Sequence, residues 1–252
     1  MNFINPYTEI YFRPQSLKTE NHLPFYKEVI WIFLKNLDNK LKLFQHRLNI
    51  VFTDTEESRK TMKFGSIYEY RQRIEKPFNE IQESEKRRKL LEIVYQAFVQ
   101  IGTENNWDLD VIENAYLKSI NEIGVFEYFT DNKISKNKQL SGQIKMDLKG
   151  NSLTFFALIN EINSDTTRHF KLLETSEDNL SWHRMFKEFG WLDNQKFGLK
   201  LLSGELWIVL NFENGEVEEI KRPKKLELKK IEDVLNDLKK PAYNSVFILF
   251  GF

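Results

Sequence analysis

The stretch Leu206-Trp207-Ile208-Val209-Leu210-Asn211-Phe212-Glu213-Asn214-Gly215-Glu216-Val217-Glu218-Glu219-Ile220 carries the clearest short-range structural signal in this chain. Leu206, Ile208, Leu210 and Phe212 recur at every second position, and Val217 and Ile220 resume an apolar pattern after Asn214-Gly215. An Asn-Gly pair between two β-rich runs predicts a tight antiparallel hairpin. Four carboxylates, Glu213, Glu216, Glu218 and Glu219, crowd its tip.

The same period extends upstream. Ile144, Met146 and Leu148 alternate with Gln143, Lys145, Asp147 and Lys149, the pattern of a half-buried strand. Gly150-Asn151 turns the chain into Leu153–Ile162, and Asn163-Ser164-Asp165 turns it again into Thr166–Leu173. Two helices are expected to flank this sheet. One carries Trp182, Met185, Phe186 and Phe189 up to Gly190, and the other carries Leu228, Ile231, Val234, Leu235 and Leu238 before Pro241. A last strand is expected at Val246–Phe250.

Helix spacing dominates earlier. After a short strand at Thr8–Phe12, apolar residues fall at Phe25, Val29, Phe33, Leu37, Leu41 and Phe44, and a strand follows at His46–Thr53. Ile67, Tyr70, Ile74, Phe78 and Ile81 predict a helix divided at Pro77. Leu91, Val94, Phe98 and Ile101 predict another that Gly102 ends. Asp108 or Asp110 should cap a further helix through Val111, Ala115, Tyr116 and Ile120, ending near Gly124. The expected class is α+β: a mainly helical N-terminal half, residues 1–123, then an antiparallel sheet with two helices, residues 124–252. No Pro/Ser-rich linker separates them, so one continuous domain is equally compatible.

Composition removes several chemistries. The chain has 252 residues, no cysteine, four histidines and ten glycines. Disulfides, thiolate nucleophiles and cysteine-bearing zinc or iron–sulfur sites are therefore excluded. His22, His46, His169 and His183 show no metal-ligand spacing, no Gly-rich phosphate loop occurs, and no G-x-S-x-G elbow is present. No cofactor is expected, and a carboxylate-only magnesium site stays open. Formal net charge is zero, so the whole molecule exerts no long-range pull on nucleic acid. No signal peptide or bilayer-length apolar run is visible, which predicts a cytoplasmic protein without a membrane anchor. The abundance of Lys, Asn and Ile suggests a bacterium with an AT-rich genome.

Three functional classes remain. The first is a protein-binding partner, for example an immunity or inhibitor protein that neutralises a toxin or enzyme. Its binding surface would be the acidic tip, Glu213, Glu216, Glu218 and Glu219, facing a basic partner. The second is a metal-dependent nuclease with Glu219-Ile220-Lys221 as its D/E-x-K and Asp193 as the upstream acid, although D/E-x-K occurs six times in this chain. The third is a nucleic-acid-binding component that uses Lys86-Arg87-Arg88-Lys89 and Lys221-Arg222-Pro223-Lys224-Lys225. Tyr68, Tyr70, Trp182, Trp191 and Trp207 read as core.

Overall fold

Leu48, Ile50 and Phe52 alternate with Arg47, Asn49 and Val51, so one face of this strand is apolar throughout. The computed structural model places a strand on each of its edges. It describes residues 7–21, 23, 25–37, 41, 47–56, 59–149, 152–164, 166–176, 186–201 and 206–221, and it divides into two units, 2–126 and 127–252.

In the first unit, β1 (Tyr7–Arg13), β2 (Arg47–Thr53) and β4 (Ile67–Arg73) run parallel, and β3 (Thr61–Phe64) pairs antiparallel with β4, giving the order β1-β2-β4-β3. A short helix α1 (Ser16–Glu20) and α2 (Tyr26–Leu37) lie between β1 and β2. A 3-10 turn at Phe78–Glu80 precedes α3 (Glu83–Asn105) and α4 (Leu109–Ile120). Ile10, Ile50 and Tyr70 sit side by side in register, all buried. Above them Phe33 of α2 meets Phe98 of α3 with ring centroids 4.9 Å apart, and Tyr68 meets Trp107 edge-on at 5.5 Å. Val29, Phe33 and Leu37 of the expected stripe are buried, as is Leu41. Phe44 lies outside the described residues.

The expectation of a mainly helical N-terminal half is corrected here. Ile67, Tyr70 and Ile74 have helix spacing, yet Ile67–Arg73 is a strand because Tyr68 and Tyr70, two apart, extend the buried row of Leu48 and Ile50. Gly65-Ser66 joins it to β3 by a two-residue turn, with Gly65 at φ 60°. Nor does Gly102 end α3. The helix runs on to Asn105 and stops at Asn106, whose φ of 54° is left-handed. Gly102 instead sits where a Cβ would lie 3.0 Å from both Ile112 and Leu109. Of the two aspartates considered as caps, Asp108 serves: its carboxylate accepts the N–H groups of Asp110 and Val111.

The second unit is two antiparallel sheets. β5 (Phe126–Phe129), β7 (Leu140–Lys149), β8 (Ser152–Glu161) and β9 (Thr167–Ser176) form one in that order, with β6 (Lys133–Ile134) also on β7. β10 (Phe186–Trp191), β11 (Lys196–Leu201), β12 (Leu206–Asn211) and β13 (Val217–Lys221) form the other as a meander. Ile144, Met146, Phe155 and Ile159 of the first sheet and Phe197, Leu199, Ile208 and Leu210 of the second are buried. Where the sheets meet, Gly142 makes room for the Phe197 ring; a Cβ there would lie 2.6–2.9 Å from three ring carbons.

The expected helix around Trp182–Phe189 is also corrected in part. Phe186–Trp191 is a strand, because Phe189 and Trp191 alternate against Leu199 and Phe197 on β11. Residues 177–185, and the helix and strand expected beyond residue 221, lie outside the described residues. The observed class is α+β with strands in both halves. Among the described residues no helix is long and apolar enough to cross a membrane.

Candidate functional site

The β12–β13 turn is built by its own polar side chains. The Asn211 N–H donates to the Glu216 carbonyl, and the Gly215 N–H closes back onto the Asn211 carbonyl at 2.8 Å. Gly215 takes φ 76°, the left-handed value that this closure needs and that glycine meets without a Cβ clash. The reversal therefore spans residues 212–215 rather than Asn214-Gly215 alone. Asn211 Oδ1 accepts the Glu213 N–H, Asn214 Oδ1 accepts the Glu216 N–H, and Asn214 Nδ2 donates to Glu216 Oε2 at 2.8 Å. These bonds hold the backbone while Glu213 and Glu216 stay exposed.

The other two glutamates do not join them in one patch. Glu218 forms an ion pair with Lys196 Nζ, and that contact raises the lysine's pKa. Glu219 lies opposite Ile208, on the other face of the strand. Cross-strand register places Val217, Glu219 and Lys221 on the face shared with Leu210 and Ile208, yet Val217 remains 40% exposed because β13 is the last strand in the sheet order among the described residues.

The turn has close company. Lys133 and Ile134 of β6 lead into turn 135–139, β8 and β9 are joined by 162–166, and β10 and β11 by 192–195. These turns and 212–216 all lie at the same strand ends of the two sheets. Asn194 Oδ1 accepts the Asn137 N–H, and Trp191 Nε1 donates to the Lys133 carbonyl at 2.7 Å, linking the sheets on one side. On the other side, Phe170 of β9 meets Phe212 at 6.1 Å, and the Arg168 guanidinium lies over both rings, 5.0 and 4.6 Å from their centroids. Spacing along the sequence gives no hint of this stack, since Phe170 and Phe212 meet only when the two sheets do. Turns gathered at one end of paired sheets are a common seat of binding, because rigid strands hold loops of variable chemistry.

The acids and lysine of the D/E-x-K reading do not converge. Asp193 Oδ1 is used by the N–H groups of Gln195 and Lys196 to shape the β10–β11 turn. That turn sits at the Lys196–Asn211 end of the sheet, whereas Lys221 pairs with Leu206 at the other end of β12. Leu206 and Asn211 are five residue steps apart, roughly 17 Å. Among the described residues no group of three or more His, Asp or Glu side chains could hold a metal.

Three of the four cations in the basic run on α3 are held in ion pairs, and Arg88 is exposed. Lys86 pairs with Glu83 at 2.8 Å, Lys89 with Glu92 at 3.0 Å, and Arg87 Nε with Glu28 at 3.1 Å. Glu28, with a side chain 1% exposed, also accepts the Gly124 N–H at 2.9 Å. Residues 222–225 of the second run, and His22, His46 and His183, lie outside the described residues; His169 is exposed on β9. Tyr68, Tyr70 and Trp207 are buried, Trp191 is half-buried, and Trp182 lies outside the described residues. Comparison with protein-family models, with curated proteins and with solved structures finds no match for this chain.

Proposed function

We propose that the protein is a cytoplasmic binding partner for a basic protein, of the immunity or inhibitor kind that neutralises a toxin or enzyme, and that it meets this partner through the 212–216 turn. The observation that carries the reading is the hydrogen-bonded turn that presents Glu213 and Glu216 outward. A turn already ordered before contact gives up little conformational entropy on binding. Exposed carboxylates facing a basic partner raise the rate of encounter and make it salt-sensitive.

The test couples capture to kinetics. The immobilised protein is exposed to proteins of its own organism, the retained partner is purified, and association is timed against the wild type and Glu213→Lys/Glu216→Lys. The expected result is a basic partner whose association slows about tenfold or more in the variant at low salt, with dissociation little changed. An unchanged association rate removes the turn from the interface. Magnesium-dependent cleavage of DNA or RNA that Lys221→Ala abolishes would replace the proposal with the nuclease reading.

A further inference from the structure

Arg168 projects from β9 beside the acidic turn, and its surroundings set it apart. Its register partner on β8 is Ile159, which is buried, so the arginine stands at the end of the apolar layer between the two sheets. Its guanidinium lies over Phe170 from its own sheet and Phe212 from the other, two rings inclined at 76°. Phe170 is itself backed by Gly215, where a Cβ would come within 3.6 Å. Among the described residues no carboxylate or carbonyl meets the Arg168 guanidinium, while Arg47, Arg71 and Arg87 all make such polar contacts. Contact with aromatic rings uses none of a guanidinium's N–H donors as a conventional hydrogen bond to oxygen would, and a carboxylate can accept two of those donors in parallel.

We infer that Arg168, clamped by Phe170 and Phe212, is an anchor for a partner carboxylate that is flanked by basic residues. This rests on the reading of the 212–216 turn as the binding surface and assigns the partner's chemistry there. Glu213 and Glu216 share the turn with Phe212, so an isolated anion would enter a negative field. A segment with an acid between two lysines satisfies both: its carboxylate seats on Arg168 and its ammonium groups face the glutamates. Packing against two rings restrains the arginine in advance, so less rotamer freedom is lost when the carboxylate arrives.

The full chain, with its arginine side chains isotopically labelled, is titrated with two probes, N-acetyl-Lys-Glu-Lys-amide and N-acetyl-Lys-Gln-Lys-amide, and followed by NMR at the arginine Nε–H groups. The Arg168 signal is expected to move saturably with the first probe while that of exposed Arg88 stays still, and the first probe should bind about fivefold tighter than the second. Arg168→Lys keeps the charge and loses the fork, so that preference should fall below about twofold. Glu213→Gln/Glu216→Gln should weaken both probes alike and leave the preference intact. Equal affinity for the two probes, a stationary Arg168 signal, or no binding of the first probe overturns the anchor. Probe affinities unmoved by the double Gln change, with the preference intact, overturn the acidic-turn reading and leave the anchor standing.

Discussion

Single side chains decide how closely the two sheets of the second unit approach. Gly142 is one contact point, and Gly142→Ala would drive a methyl into the Phe197 ring. Overpacking of this kind costs about 1–3 kcal/mol. A lowered denaturation midpoint is expected, partly recovered in Gly142→Ala/Phe197→Leu. In the first unit the carboxylate of Glu28 serves both Arg87 and the Gly124 N–H. Glu28→Ala leaves the Gly124 N–H without its acceptor and Arg87 with only its longer contact to Glu83, and a loss of about 1–3 kcal/mol is expected in urea unfolding, discounted because Arg87 is 27% exposed. Tyr70 gives the pH dependence. Burial raises its pKa above the usual 10.0, so the folded state holds the phenol proton longer than the unfolded chain does. Its contribution is fully present below pH 10 and is lost as pH rises further. Tyr70→Phe is expected to flatten the alkaline limb of the stability curve, read from thermal midpoints between neutral pH and pH 11.

At the level of elements, what could be read beforehand depended on where each element's partners lie. The β12–β13 hairpin, β7, β8 and the Asp108 cap carry their own local signals, and all appear in the structure. Asp108→Ala should remove two accepted N–H bonds and about 1 kcal/mol, checked by the loss of helical circular dichroism on heating. β4 and β10 were hidden for a different reason. Each is short and amphipathic, with apolar residues that satisfy a helical period by accident, and only a neighbouring strand picks the period of two. Phe189 and Trp191 declare themselves only against Leu199 and Phe197. The acidic turn was visible as Asn214-Gly215 among glutamates. Its division was not, because Lys196, which claims Glu218, comes from a strand two places away in the sheet. Arg168 carries no signal at all without the two sheets.

For the whole molecule, the division after Phe126 has a testable edge. Phe126 is fully buried, its ring lies 5.5 Å from Trp31, and the Lys35 ammonium lies 5.9 Å from its centroid. A fragment that stops at Phe126 should unfold cooperatively, whereas one that stops at Gly124 should be less stable by about 3–5 kcal/mol, the usual cost of losing a buried phenylalanine. Differential scanning calorimetry of the two fragments distinguishes the outcomes.

The parallel ladder of the first unit also bears on how the chain is made. β1 ends at Arg13, but the strand it must lie beside does not begin until Arg47, and β4 does not close until Arg73. Such long closures slow folding, while β7–β9 and β10–β13 each join a strand to the one just before it. Refolded from denaturant, the later half should therefore win the race, with Trp207 reporting native fluorescence before Trp31. On the ribosome the earlier half leaves the tunnel first, so vectorial synthesis grants its slow topology the time that dilution from denaturant does not.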